Sequence, residues 1–167
     1  MNVLVTVASK HGSTGEIGEL IAGVLRDASL VVESRAPETV RDVAPFDAVV
    51  LGSAIYAGRW LQPARAFVDR HADALARRPT WIFSSGPIGD PPLPAAESME
   101  AAEIAARLGA RDLRTFAGRL DRAQLGFMER TVTRALKAPE GDFRDLDAIR
   151  SWADEIATAL QTAEVPS

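Results

Sequence analysis

Residues 3–23 read VLVTVASKHGSTGEIGELIAG, and this stretch decides the fold. Val3, Leu4, Val5, Val7 and Ala8 form a short, nearly continuous apolar run, as in a central parallel strand covered on both faces. Residues 9–14 are a loop of small and hydroxyl residues. Ile17, Leu20, Ile21, Val24 and Leu25 then recur at helical spacing. Strand, tight loop and helix in that order open an α/β sheet, in which ligands bind beyond the carboxyl ends of the strands. Helix-start amides and the positive end of the helix dipole favour an anion at such a place. The loop therefore reads as a phosphate site.

The rest of the chain repeats the alternation. Leu30, Val31 and Val32 begin a second strand that ends by Ser34, and residues 36–45 are a connection with room for one helical turn. Residues 47–53 (DAVVLGS) form a third, wholly apolar strand, followed by a loop over residues 54–60. Pro63 stands near the start of the next helix, where proline is tolerated, and Ala64, Phe67, Val68, Ala72 and Leu75 are its buried set. Residues 80–84 make the fourth strand. Residues 85–94 hold two glycines and four prolines, too many for a helix or a central strand. Residues 95–108 are an alanine-rich helix, and residues 113–120 the fifth strand. Residues 123–136 read as an extra helix with Leu125, Phe127, Met128, Val132 and Leu136 as its apolar stripe. A last helix over about residues 146–160 buries Leu146, Ile149, Ala153, Ile156 and Leu160, with Trp152 beside them. The sum predicts a doubly wound, five-stranded parallel sheet of order 2-1-3-4-5, its crevice between strands one and three. One domain over residues 1–162 and a short tail over 163–167 are expected.

Composition narrows the function. The 167 residues are 47% hydrophobic and 25% charged, ordinary for a globular domain. A net charge of −4 argues against nucleic acid as a partner by bulk electrostatics. There is no cysteine, which excludes disulfides, cysteine-ligated iron–sulfur clusters and a thiol nucleophile. Redox chemistry would have to belong to a bound cofactor. His11 reads as an exposed loop residue that adds positive character, and His71 as structural or solvent-facing, so no metal site is expected. No apolar run reaches the ~20 residues of a membrane span, and the expected location is the cytoplasm.

Several phosphate ligands can be separated on the loop itself. It lacks the Gly-Lys-Ser/Thr ending of a nucleoside triphosphate loop. Gly12, Gly15 and Gly18 fall at three-residue intervals, whereas the dinucleotide fingerprint begins with a two-residue interval. Glu33 lies about where a ribose-binding acid would, which leaves a nicotinamide cofactor open at this point. A phosphorylated receiver domain would need acids where Ser9 and Gly52-Ser53 stand. The hydroxyls of Ser9, Ser13 and Thr14 and the amides of residues 10–14 favour a terminal phosphate monoester held in a nest. The competing reading is a capping box, with Ser13 paired to Glu16.

Ser9-Lys10-His11-Gly12-Ser13-Thr14 resembles the T/S-x-x-G-x-T phosphate loop of flavodoxins, and Gly52-Ser53-Ala54-Ile55-Tyr56-Ala57-Gly58 resembles the same family's first flavin loop. Closest is the branch of menaquinone-dependent protoporphyrinogen oxidases, which has a G-x-x-I-x-x-G loop and F-x-G-x-L in the fifth strand. Phe116-Ala117-Gly118-Arg119-Leu120 fits the latter. The similarity extends from Met1 to about Leu160. It implies non-covalent FMN, with Ser9, Lys10, His11, Gly12, Ser13 and Thr14 on the phosphate. Ser53, Ala54, Ile55, Tyr56, Ala57 and Gly58 would border the isoalloxazine ring, and Ser84, Ser85, Gly86, Pro87, Ile88 and Gly89 would close its other edge. No side chain need act as acid or base, because the flavin carries the chemistry. Tyr56 or Trp60 would stack on the ring, unless Trp60 instead covers the following helix.

The resemblance implies an oxidoreductase that passes electrons from a reduced donor, protoporphyrinogen in that branch, to a quinone or a redox partner protein. A flavodoxin-type carrier without its own substrate and a scaffold with a degenerate pocket are the alternatives. Residues 107–137 hold eight basic and three acidic residues. They read either as a solvated, ion-paired face or as a docking patch for an anionic substrate or the inner face of the membrane.

Overall fold

A computed structural model describes residues 1–10, 12–86, 98–120, 141–142 and 144–164. Its elements in chain order are β1 (Asn2–Ala8), α1 (Ser13–Asp27), β2 (Val31–Arg35), a 3-10 turn (Pro37–Thr39), β3 (Ala48–Tyr56), β4 (Arg59–Trp60), α2 (Gln62–Ala76), β5 (Thr80–Ser85), α3 (Met99–Leu108), β6 (Asp112–Phe116), β7 (Arg119–Leu120), β8 (Gly141–Asp142) and α4 (Leu146–Glu164). The main sheet runs β2-β1-β3-β5-β6, and each of these neighbours is parallel to the next. This is the order expected from the alternating pattern. The short β4 is counted within it only because it folds back on β3.

The period-two geometry of the strands divides the core into two layers. Val3, Val5, Val50, Trp81 and Phe83 face one side and pack with Ile17, Ile21 and Leu25 of α1 and Ile149, Trp152, Ile156 and Leu160 of α4. Leu4, Val49, Leu51 and Ile82 face the other and pack with Phe67, Val68 and Leu75 of α2 and Ile104 and Leu108 of α3. Burial on both faces is why β1, β3 and β5 are almost continuously apolar. The edge strand β2 alternates instead, and its Val31 is exposed.

Gly52 marks a close approach inside the sheet. A Cβ there would lie 2.2 Å from the ring of Phe83, its partner in register on β5. The Phe83 ring occupies that space and continues into an aromatic cluster, 6.0 Å from Phe116 and 6.1 Å from Trp152 between centroids.

Three boundaries and the burial of one residue differ from the sequence reading. β3 runs past Ser53 to Tyr56, because a hairpin partner extends it. The fifth strand stops at Phe116, and Arg119–Leu120 pairs antiparallel with Gly141–Asp142 in a separate two-stranded sheet. Helix α3 is described from Met99, with Ser98 as its N-cap accepting from the Ala101 amide. Leu146 is exposed rather than buried, since it opens α4 beyond the core. The expected extra helix over residues 123–136 lies outside the described residues. Among the described residues no helix is long and apolar enough to cross a membrane.

Helix α4 is tied to β6 at Asp112, whose Oδ2 accepts from the Trp152 indole at 2.9 Å and from Arg114 Nε at 2.7 Å. Burial raises the Asp112 carboxyl pKa. Hydrogen bonds from Arg114, Trp152 and the Leu113 amide, with the Arg114 charge, outweigh that effect and hold it below the usual value. A depressed folded-state pKa adds stability that is complete above the unfolded value, about 4, and disappears as pH falls through the folded value. Asp112→Asn should therefore flatten the acid limb of stability below about pH 4. Urea midpoints measured against pH for the two proteins check this.

Candidate functional site

Three segments meet at the carboxyl edge of the sheet: the loop after β1, the β3–β4 hairpin and the end of β5. The loop turns at Gly12, which has φ +86° and is the N-cap of α1. No side chain lies within 4 Å of its would-be Cβ, so glycine is needed there for the left-handed backbone and not for space. The Gly12 amide donates to Ser9 Oγ at 3.1 Å, which closes the turn. Ser13 and Thr14 open the helix and are nearly buried.

Ser13 does not stand at the cap position that a capping box requires. The cap position falls on Gly12, which offers no side chain, and no side-chain cap bond forms. No side chain caps this helix start, and an uncapped start with its positive dipole end favours an anion. Glu16 pairs with Arg144, two residues before the first residue of α4, whose side chain is only 10% exposed. That ion pair offsets the acidic charge that Glu16 would present beside an incoming anion. Nothing in the local sequence signals Arg144, because its partner is 128 positions away.

The second segment corrects the sequence reading of a loop over residues 54–60. Ala57 and Gly58 both have positive φ, +51° and +77°. This is the requirement of a primed two-residue hairpin turn, whose twist matches the flanking strands. Tyr56 pairs with Arg59 and Ile55 with Trp60 across it. The hairpin is fastened at its base and side. Ser53 Oγ accepts from the Leu61 amide at 3.0 Å and donates to the Ala54 carbonyl at 2.8 Å. The Trp60 indole donates to Ser84 Oγ at 2.8 Å, the Trp60 amide to Glu100 Oε2 at 2.7 Å, and Ser98 Oγ to the Gly58 carbonyl at 3.3 Å.

These bonds separate the two candidate stacking residues. Trp60 is 1% exposed and faces the α2–α3 layer, so it covers the core and cannot stack on a ligand. Tyr56 is 41% exposed, and the Lys10 ammonium of the first loop lies 4.4 Å from its ring centroid. A cation over an aromatic face is attracted by the ring quadrupole, and here it brings loop and hairpin together.

At the third segment Ser84 and Ser85 are buried. The Ser84 hydroxyl is committed to Trp60, so only its backbone is left to line the edge. A Cβ on Gly86 would lie 2.9 Å from Ile55 Cβ and 3.1 Å from its carbonyl oxygen, which leaves room for glycine alone beside the hairpin. Gly118 similarly passes against Ser85 Oγ, at 3.4 Å from its would-be Cβ. His11, Pro87, Ile88 and Gly89 lie outside the described residues.

Other candidates fall elsewhere. Glu33 pairs in register with Leu4, in the middle of β1, and forms an ion pair with Arg35 at 2.7 Å. It is thus set back from the carboxyl edge where a ribose would need it. His71 is half-buried, its ring 4.9 Å from Phe67 and its Nε2 3.4 Å from the Val40 carbonyl, a structural position. Three arginines of the basic segment are ion-paired or stacked: Arg107 with Asp69, Arg114 with Asp112 and Glu155, Arg111 over Trp81. Arg122, Arg130, Arg134 and Lys137 lie outside the described residues. Ser98 and Glu100 were missed as site-supporting residues. A serine just before a helix is a legible N-cap signal, but its second bond to the hairpin is not.

Ser84→Ala would strand the buried Trp60 indole N–H, a loss of about 1–3 kcal/mol. Adding Trp60→Phe should recover most of it. Urea unfolding of the two single variants and the double variant measures the coupling.

The family model described as Flavodoxin domain matches residues 4–147. A search of curated proteins finds no match. Among solved structures, a flavodoxin from the domain Archaea superposes with TM-score 0.67 at 16% identity, covering 96% of this chain and 99% of that one. A cysteine-to-serine mutant of flavodoxin from Pseudomonas aeruginosa gives 0.61 at 16% identity, covering 96% and 99%. Rubredoxin:oxygen oxidoreductase from Desulfovibrio gigas gives 0.66 at 14% identity; the match covers 96% of this chain and 36% of that longer protein.

Proposed function

This chain belongs to the flavodoxin domain family, and on that premise we propose that it is an FMN-binding redox protein whose cofactor lies across the carboxyl edge of the sheet. The reading is carried by one observation: the uncapped, glycine-turned start of α1 stands beside a rigid hairpin that presents an exposed aromatic ring. An anion-holding helix start and an aromatic platform are the two things a phosphorylated isoalloxazine needs. When bound, FMN supplies one- and two-electron transfer.

The chain's own residues then bind and orient. Ser9, Lys10, His11, Gly12, Ser13 and Thr14 form the phosphate side, with the first-turn amides and the nearly buried Ser13 and Thr14 as its inner wall. Ser53, Ala54, Ile55, Tyr56, Ala57 and Gly58 border the ring, with Tyr56 stacking on it. Ser53 and Ser84 contribute through backbone, since both hydroxyls are engaged internally. Ser85, Gly86, Pro87, Ile88 and Gly89 complete the far edge. We take residues 1–162 as a single domain and residues 163–167 as its tail.

FMN added to flavin-free protein should lose its fluorescence on binding, and the complex should be yellow. Thr14→Asp sets a carboxylate against the phosphate and should weaken FMN by about 100-fold or more, the scale of ~3 kcal/mol for like charges in contact near a protein surface. Unquenched FMN fluorescence with the unaltered protein would remove the reading.

The finer proposal is that the protein works in the manner of the quinone-dependent protoporphyrinogen oxidase branch. The I-Y-A-G loop, the F-x-G-x-L stretch and the length of sequence that follows it, residues 121–140, support it. Protoporphyrinogen would be the donor, a quinone or a redox partner protein the acceptor, and the basic segment the surface toward an anionic substrate. FMN-loaded protein mixed with protoporphyrinogen and menaquinone should then form protoporphyrin fluorescence faster than the flavin-free control. Equal rates would leave a carrier that exchanges electrons with a reductase alone.

A further inference from the structure

The hairpin that presents Tyr56 is held from outside the proposed flavin site, by the first turn of α3. The Trp60 amide donates to Glu100 Oε2 at 2.7 Å, a contact that bridges 40 positions of sequence. Glu100 is one residue into that turn beyond Met99, and its side chain is 22% exposed. Arg59 and Arg65 approach its other oxygen, at 3.7 and 3.8 Å. Ser98, the α3 cap, adds the bond to the Gly58 carbonyl. Glu100 therefore acts on the strand that returns from Tyr56, with a charge-assisted bond directed at a single backbone N–H.

We propose that Glu100 is a positioning residue that sets where the Tyr56 platform stands relative to the phosphate loop. A two-residue strand has little pairing of its own, and β4 has only Arg59 and Trp60. Its own cross-strand ladder cannot hold it, because an isolated short hairpin is marginal in water. The indole–Ser84 bond fixes the Trp60 side chain. The Glu100 bond fixes its backbone, and with it the register of Tyr56 opposite Arg59. The required property is the reach of the carboxylate oxygen, not its charge alone. The two arginines satisfy the charge, whereas the amide needs an acceptor at the right distance.

This inference rests on the flavin reading for its consequence and stands independently of it for its mechanics. The test uses the full chain with three substitutions. Glu100→Gln keeps an acceptor at the same reach and loses the charge. Glu100→Asp keeps the charge and withdraws the oxygen by one methylene. Glu100→Ala loses both. In flavin-free protein, hydrogen exchange at the Trp60 amide should accelerate by about 10-fold or more in Glu100→Asp and Glu100→Ala, and stay within about threefold in Glu100→Gln, as expected for loss of one hydrogen bond to a charged group. FMN affinity, by fluorescence quenching, should fall by about 10-fold in the first two and be preserved in Glu100→Gln. The midpoint potential of bound FMN should move with the same grouping. Thermal melts identify any variant that fails to fold, and the Asp and Gln pair suffices if Ala does so.

Unchanged Trp60 exchange in Glu100→Asp would overturn the proposal. So would equal FMN weakening in Glu100→Asp and Glu100→Gln, which would make charge the operative property. If the unaltered protein binds no FMN, the function proposed above fails, and Trp60 exchange alone then upholds or overturns the anchor.

Discussion

Strand β3 is the constraint on which the rest depends. It pairs with β1 on one side and β5 on the other, and it is buried from Ala48 to Ser53. A strand enclosed on four sides can carry a polar side chain only where a partner meets it. The first hydroxyl of β3, Ser53, is fully buried opposite Ala8 and Ser84, and it is satisfied by Leu61 and Ala54. Because all five main strands are parallel, their carboxyl ends share one edge. That geometry brings together the loop after β1, the hairpin after β3 and the end of β5, and contacts such as Lys10–Tyr56 and Trp60–Ser84 then join them.

The site is built from two kinds of element. The proposed phosphate side is electrostatic: an uncapped helix start, a left-handed glycine and a lysine, with the acidic Glu16 offset by Arg144. The ring side is mechanical. Serines 53, 84 and 98 and Glu100 tie a hairpin whose own ladder is two residue pairs long. The Lys10–Tyr56 contact joins the two sides. Rigid aromatic surface beside a directional anion site costs little reorganisation when a ligand arrives, which is what preorganisation means in energetic terms.

Close packing, not backbone freedom, explains three of the glycines. Gly52 leaves room for the Phe83 ring, Gly86 passes beneath Ile55, and Gly118 lies against Ser85. None of these three has positive φ. The F-x-G-x-L stretch thus has a structural reason independent of any ligand. Phe116 joins the aromatic cluster with Phe83 and Trp152, and the glycine two positions later clears the end of β5.

Much of the architecture was legible in the chain. Apolar runs at residues 3–8, 47–53 and 80–84 are readable as buried parallel strands because a strand covered on both faces has no polar face to show. Helical stripes such as Ile17, Ile21 and Leu25 are readable because period 3.6 is a local property. The turn before α1 was legible for the same reason: its glycine, hydroxyls and following helix are contiguous. The hairpin was not, since Ala57-Gly58 carries no asparagine or aspartate signal and its left-handed alanine is imposed by the strands on either side. Nor could sequence choose between Tyr56 and Trp60 as the exposed ring. That choice was made by Ser84 and Glu100, 24 and 40 positions from Trp60. Local periodicity fixes which segments become strands and helices; contacts between segments far apart in the chain fix which side chains are left exposed at the carboxyl edge.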